Sequence, residues 1–120
     1  MLASEIVYES LKTDFEDRVG PHPLAEPFEL RDKPYVTYQK ISTESLDVID
    51  GWTGHDYVRM QLMVVHQDNI QCERYSQQVR WLMTEQKYSE CICIGSYSDY
   101  DAETQLYYEM VDFMMWQNAC

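Results

Sequence analysis

The sequence predicts an α+β fold: a four-stranded, mostly antiparallel sheet with two helices packed on one face, in the order α-β-β-α-β-β. Three observations lead there. Two stretches repeat their apolar residues with a helical period. Four others alternate with a period of two. The strand-like stretches fall into pairs with one helix between them, which suits helices segregated to one face of a sheet. At 120 residues the chain reads as a single domain, 1–120, and at 45% hydrophobic residues it can bury a core.

Each element has its own signal. In residues 1–15, Leu2, Ile6, Val7, Leu11 and Phe15 recur at helical spacing, with Ser4 as the expected N-cap. All four prolines, Pro21, Pro23, Pro27 and Pro34, then fall between residues 18 and 42. Proline donates no backbone hydrogen bond and pushes its predecessor toward extended geometry, so residues 20–34 should form an extended connection and no inner strand. Residues 35–41, "YVTYQKI", alternate as a strand. Residues 42–55, "STESLDVIDGWTGH", carry Gly51 and Gly54 and read as a long connection. Residues 55–66 give the clearest strand, with Val58, Met60, Leu62 and Val64 on one face and Tyr57, Arg59, Gln61 and Met63 on the other.

Asp68, followed three residues later by Gln71, marks a second helix that runs to about Gln86 on a stripe of Tyr75, Val79, Leu82 and Met83. "YSECICIGSYS" and "ETQLYYEMVDFMMWQ" complete the sheet as strands joined by "DYDA". The last strand is apolar on both faces: Leu106, Tyr108, Met110, Met114 and Trp116 on one, Tyr107, Val111, Phe113 and Met115 on the other. With only two helices as cover, one face is expected to serve as an interface, although a central strand covered on both sides would read the same way.

Charge narrows the function classes. The formal net charge is −12. Residues 42–58 and 88–120 contain no lysine or arginine, and the latter holds Glu90, Asp99, Asp101, Glu103, Glu109 and Asp112. Stable binding of nucleic acid or of an anionic membrane needs clustered cations, so neither is expected. No run of 18 apolar residues exists, and the acid-bearing N-terminus lacks the basic start of a signal peptide.

Catalytic chemistry is not indicated. His22, His55 and His66 have no Ser or Cys partner in a nucleophile context, and the four glycines form no phosphate loop. Asp99 and Asp101 read as turn residues, and Asp47, Asp50 and Asp56 lack calcium-loop spacing. Cys91 and Cys93 should share one strand face, and with His66 and Cys72 they could make a metal site. The Cys-x-Cys spacing is weak for zinc, so Cys72, Cys91, Cys93 and Cys120 are expected as free thiols that pack as small hydrophobes. No enzyme activity, cofactor or metal is expected.

The succession "SEIVYESLKTD", "RVGPHPLAEPF", "KPYVTYQKIS", "YVRMQLMVVHQDNIQCERYSQQVRWLM" resembles the tail-terminator, or tail-completion, family of long-tailed bacteriophages. The most specific pieces are Arg18-Val19-x-Pro21 and Pro34-Tyr35-Val36-x-Tyr38 through Ile41-Ser42, while Gly20 stands where the family commonly has an aromatic residue. The resemblance implies a virion protein, assembled in the host cytoplasm, that forms a ring at the head-proximal end of the tail tube, with six copies expected. Its partners would be itself, the major tail tube protein and a head-completion (stopper) protein. Another neck or head-tail joining ring, or a small non-viral ligand-binding or regulatory domain, are the alternatives.

Three candidate surfaces go with this reading. Pro21, Pro23, Pro27 and Phe28 would lie across a neighbour as a low-entropy arm. Leu46, Ile49 and Trp52, on a stretch 43–54 expected to be mobile until bound, would meet a partner, as would Tyr108, Met110, Met114 and Trp116 of the last strand. Asp47, Asp50, Asp56, Asp99, Asp101 and Glu103 would face the lumen and repel passing DNA within a Debye length, about 8 Å at physiological salt.

Overall fold

The computed structural model describes residues 2–15, 18–21, 34–48, 51–103 and 105–118, with the backbone alone at 45–48, 52, 53 and 118. Two helices and five strands follow in the order α1 (Ala3–Phe15), β1 (Val19–Pro21), β2 (Tyr35–Val48), β3 (Gly51–His66), α2 (Asn69–Glu85), β4 (Cys91–Asp101) and β5 (Leu106–Asn118). They build one mixed sheet of order β1-β2-β3-β5-β4. The four antiparallel strands are those expected. The fifth, β1, is a three-residue edge strand that pairs parallel with Val36–Tyr38 of β2. A parallel pair needs a crossover of about a dozen residues; of the connection expected at 20–34, residues 22–33 lie outside the described residues.

α1 is capped at Leu2, ahead of the Ser4 that the sequence suggested. The Leu2 carbonyl accepts from the Ile6 amide at 3.0 Å, and Glu5 Oε1 accepts from the Leu2 amide at 3.0 Å, the return half of a capping box. α2 begins as its sequence dictates. Asp68 Oδ1 accepts from the Ile70 amide at 3.3 Å, and the Asp68 amide donates to His66 Nδ1 at 3.0 Å, so His66 is a structural link between β3 and the helix.

Both helices cover one sheet face. Ile6, Val7 and Leu11 from α1 and Cys72, Val79 and Met83 from α2 pack with Val58, Met60, Leu62 and Val64 of β3 and Val111, Phe113 and Met115 of β5. This is the face division expected from the alternation of residues 57–64. Gln117 ties the layers together: its Oε1 accepts from the Ala3 amide at 3.0 Å, and its Nε2 donates to Asp56 Oδ2 at 3.3 Å.

The expected long connection at 42–55 is instead strand. β2 continues to Val48 and β3 begins at Gly51, so the register Val48↔Gly51 leaves only residues 49–50 to turn the chain. Two irregularities absorb the pattern, a β-bulge at Ile41 on β2, between Lys40 and Ser42, and a second on β3, where the backbone of residues 53–55 stands against Leu46 alone between Ser45↔Asp56 and Asp47↔Trp52. Gly51 and Gly54 take positive φ (118° and 84°). Because β5 pairs with β3 only as far as His55↔Asn118, the tip of this hairpin projects past the rest of the sheet as a two-stranded arm, and the molecule measures 52 × 26 × 25 Å.

Candidate functional site

The surfaces that can do something here are the sheet face without a helix over it, the sheet edges and the acidic ends. The open face is built from alternate residues of four strands, β2 giving Gln39, Ser42 and Glu44. Tyr57, Arg59, Gln61 and Met63 come from β3, Tyr108, Met110, Asp112, Met114 and Trp116 from β5, and Ile92, Tyr97 and Asp99 from β4. The Tyr57 and Trp116 rings lie 4.8 Å apart, and Gln61 Nε2 donates to the Tyr97 hydroxyl at 2.9 Å. Tyr108, Met110, Met114 and Trp116 are thus together on one face, as alternation requires, and each is half-buried by its neighbours. Among the described residues, no helix lies over them.

One ion pair sits in this face. Arg59 Nη2 donates to Asp112 Oδ2 at 2.6 Å, with the Asp112 side chain 10% exposed and the Arg59 side chain 43%. Arg59 Nε and Asp112 Oδ1 are buried without a hydrogen-bond partner among the described residues. Sequence reasoning put Asp112 only among the acids, although its place between Met110 and Met114 marks a carboxylate on an apolar face that needs a cation.

Among the described residues clefts adjoin the sheet at several places, one of them between α1 and Tyr38 of β2. Another, of about 530 Å³, lies at the β4–β5 turn between Met63, Tyr108 and Met110 on one side and Asp99, Tyr100, Asp101 and Ala102 on the other. A third, about 210 Å³ and polar, opens between α2 and β4, where buried Glu109 accepts from the Ser98 hydroxyl and Arg80 lines the rim.

The six candidate lumen acids do not form one group. Asp56, paired with Gln117, and the Asp47 backbone, paired with Trp52, belong to the arm end of the sheet. Asp101, paired with Leu106, and Asp99, paired with Tyr108, belong to the opposite end, next to Glu103 in the turn. Gln117 and Leu106 are eleven residues apart on β5, which at about 3.3 Å per residue separates the two ends by roughly 36 Å. Asp56 is also held by Gln117 and so is not a free surface charge. Asp99 and Asp101 lie on the strand and not in the turn. Asp99 Oδ1 accepts from the Tyr100 amide at 2.8 Å and Asp101 Oδ1 from the Glu103 amide at 3.0 Å.

Of the expected arm residues, Pro21 is exposed at the sheet edge, where its missing N–H removes a ladder bond at little cost. Pro23, Pro27, Phe28, Ile49 and Asp50 lie outside the described residues, as do the side chains of Leu46, Asp47 and Trp52. At Gly20 the Tyr35 hydroxyl is 2.7 Å from where a Cβ would stand, so a larger residue there would push the end of that side chain aside.

Cys72, Cys91 and Cys93 pack in or against the core, while Cys120 lies outside the described residues. Cys72 is buried and donates to the Val64 and Tyr107 carbonyls at 3.4 and 3.5 Å, and burial pushes its pKa up to about 12. Burial likewise pushes Cys91 up to about 12. Cys91 and Cys93 share the helix-side face, opposite Met115 and Phe113, whereas Cys72 meets Tyr107 toward the other end of β5. The four residues considered for a metal site are therefore not gathered, and no group of His, Cys, Asp and Glu suited to a metal occurs among the described residues.

No protein-family model matches the sequence, and no curated protein matches it. A chain from a structure described as the virion of a native gene transfer agent particle shares the fold, with a TM-score of 0.71 and 9% sequence identity, over 94% of this chain and 92% of that one.

Proposed function

We propose that this chain is a structural, non-enzymatic virion protein that assembles as a ring of six copies at the head-proximal end of a phage-like tail, ending tube growth and receiving the neck. The observation that carries this reading is a fold shared with a gene transfer agent virion chain over nearly the full length of both. The sequence resemblance to tail terminators points the same way. So does the architecture, with helices on one sheet face and a broad apolar face left on the other.

In this reading the acids form two collars at the two ends of each sheet rather than one belt, one near Asp47 and Asp56 and one near Asp99, Asp101 and Glu103. Each would discourage DNA from settling on the wall, because phosphate binding requires cations that both regions lack.

Deletion of the gene in its phage, with electron microscopy and copy counting on purified tails, tests the proposal. Tails of uncontrolled length in the deletion, and six copies per wild-type tail, are expected. Tails of normal length that fail to join heads would assign the chain to a neck ring. A single copy per tail, or normal particles without the protein, would overturn the reading.

A further inference from the structure

We infer that the outer edge of β4 is a strand-addition site, and that its occupant is the open edge of β2 in a second copy of this chain, joined head to tail. The inference rests on the ring reading and specifies which surfaces close the ring.

β4 is the last strand of the sheet on its side, and among the described residues no backbone group pairs with its outer edge. Exposed edges are normally blunted by shortness, lysine, proline or a covering element. β4 is eleven residues long, reads "CICIGSYSDYD", and contains no lysine, arginine or proline. Ile92 is 60% exposed and Tyr97 51%. Its blunting features are a bulge at Ile94, between Cys93 and Gly95, and the carboxylates of Asp99 and Asp101 near its end, which leave residues 91–98 uncharged. An edge this long and this apolar is an aggregation hazard unless it is paired in the working state.

The chain carries a counterpart. β1 pairs only with Val36–Tyr38, which leaves the outer edge of β2 open from Gln39 to Val48 among the described residues. Each neighbouring pair from β2 through β3 and β5 to β4 is antiparallel, so β4 runs opposite to β2. Copies related by rotation about an axis to which the strands are tilted therefore bring β4 antiparallel to the next copy's β2, with a stagger along the strands. Such a contact uses two different surfaces and closes into a ring when the rotation divides a full turn.

Charge and side-chain alternation select the register. With no offset, Glu90 approaches the neighbour's Glu44, and β1 blocks the strand beyond it. Staggering the neighbour by roughly 13 Å along the strands, as tilt allows in a closed sheet, removes the first conflict and confines the second to Tyr100 and Asp101 at the end of β4. Tyr97 then faces Ser42, Gly95 faces Glu44, and Asp99 faces Gln39, with like faces matched. The two bulge residues, Ile41 and Ile94, stay unpaired. Residues 91–98 carry no charge, so they accept the edge bearing Glu44 and Asp47 without repulsion.

Hydrogen exchange and native mass spectrometry on assembled tails test this, with the wild-type chain and two edge variants, Ile92→Lys/Tyr97→Lys on β4 and Ile41→Lys/Ser42→Lys on β2. All four positions are exposed, and an unchanged melting temperature shows that each variant folds. In the wild-type ring, alternate amides of both 91–99 and 39–45 should exchange at about a tenth of the free-chain rate or slower. Either variant should lose the ring, and a mixture of the two should stop at a dimer, since each retains one sound edge. Loss with the β4 variant alone would indicate β4–β4 pairing and overturn the inference. A ring with unprotected β4 amides would overturn it while leaving the ring reading intact. Absence of any multimer of the wild-type chain on tails would overturn both.

Discussion

Removing the cation from the Arg59–Asp112 pair should destabilise the domain more than removing the carboxylate, because the carboxylate is the buried partner. Asp112 has a side chain only 10% exposed, whereas Arg59 at 43% can turn its head to water. Breaking a fully buried pair costs about 3–5 kcal/mol and breaking a surface pair about 0–1. Arg59→Met strands a largely buried carboxylate that water can still reach in part, so a loss of about 2 kcal/mol is expected. Asp112→Leu leaves a cation free to rehydrate, and about 1 kcal/mol is expected. The double variant Arg59→Met/Asp112→Leu puts two apolar side chains beside Tyr57, Met114 and Trp116, and should return to within about 0.5 kcal/mol of the wild type. Urea denaturation followed by circular dichroism gives all four stabilities and the coupling between the sites. If Arg59→Met proves the milder single change, or if the double variant is as unstable as the worse single, the account of this pair is wrong.

Three further outcomes follow from the core, the cap and the thiols. Phe113→Ala removes the largest fully buried side chain among the described residues and should cost about 3–5 kcal/mol in the same denaturation assay. Asp68→Ala removes the acceptor for the Ile70 amide and should cost about 1 kcal/mol, with the lost amide protection confined to the first turn of α2. Cys72 and Cys91 hold their protons more tightly when folded than at the ordinary thiol value of 9.0, each being pushed up to about 12. Their stabilising contribution is therefore complete below pH 9 and falls as pH rises from 9 toward 12; a Cys72→Ala variant should show a shallower decline over that window than the wild type.

The helices and the inner strands were legible because their apolar periods are long and regular. Val58, Met60, Leu62 and Val64 specified the buried face of β3, and Asp68 specified the start of α2. β1 left no readable pattern, since three residues that include Gly20 and Pro21 carry no alternation, and its pairing with β2 is a tertiary event. The arm was misread because Glu44, Asp47, Gly51 and Gly54 look like loop composition. The Asp50-Gly51 pair between β-branched and aromatic residues was the available signal for a tight hairpin. The apolar face of β5 could be read from alternation, but among the described residues the most exposed apolar side chains of the sheet lie on β4, because sequence alternation does not reveal which strand ends a sheet. The separation of the acids into two ends likewise depends on register, which no count of charges contains.

β3 is at once one side of the projecting arm and the central strand of the core, so the arm is mechanically continuous with the most deeply buried part of the molecule. A load applied at the tip along the strand direction does not peel one end of the sheet open. It acts in shear along the ladder from His55 to His66, where the hydrogen bonds to β5 share it and fail only together. A load applied across the arm meets only the β2–β3 ribbon beyond His55, and an isolated two-stranded ribbon is marginally stable on its own. The domain is thus stiff to tension along its strands and compliant to bending at its tip, the anisotropy of a tie rod with a flexible end.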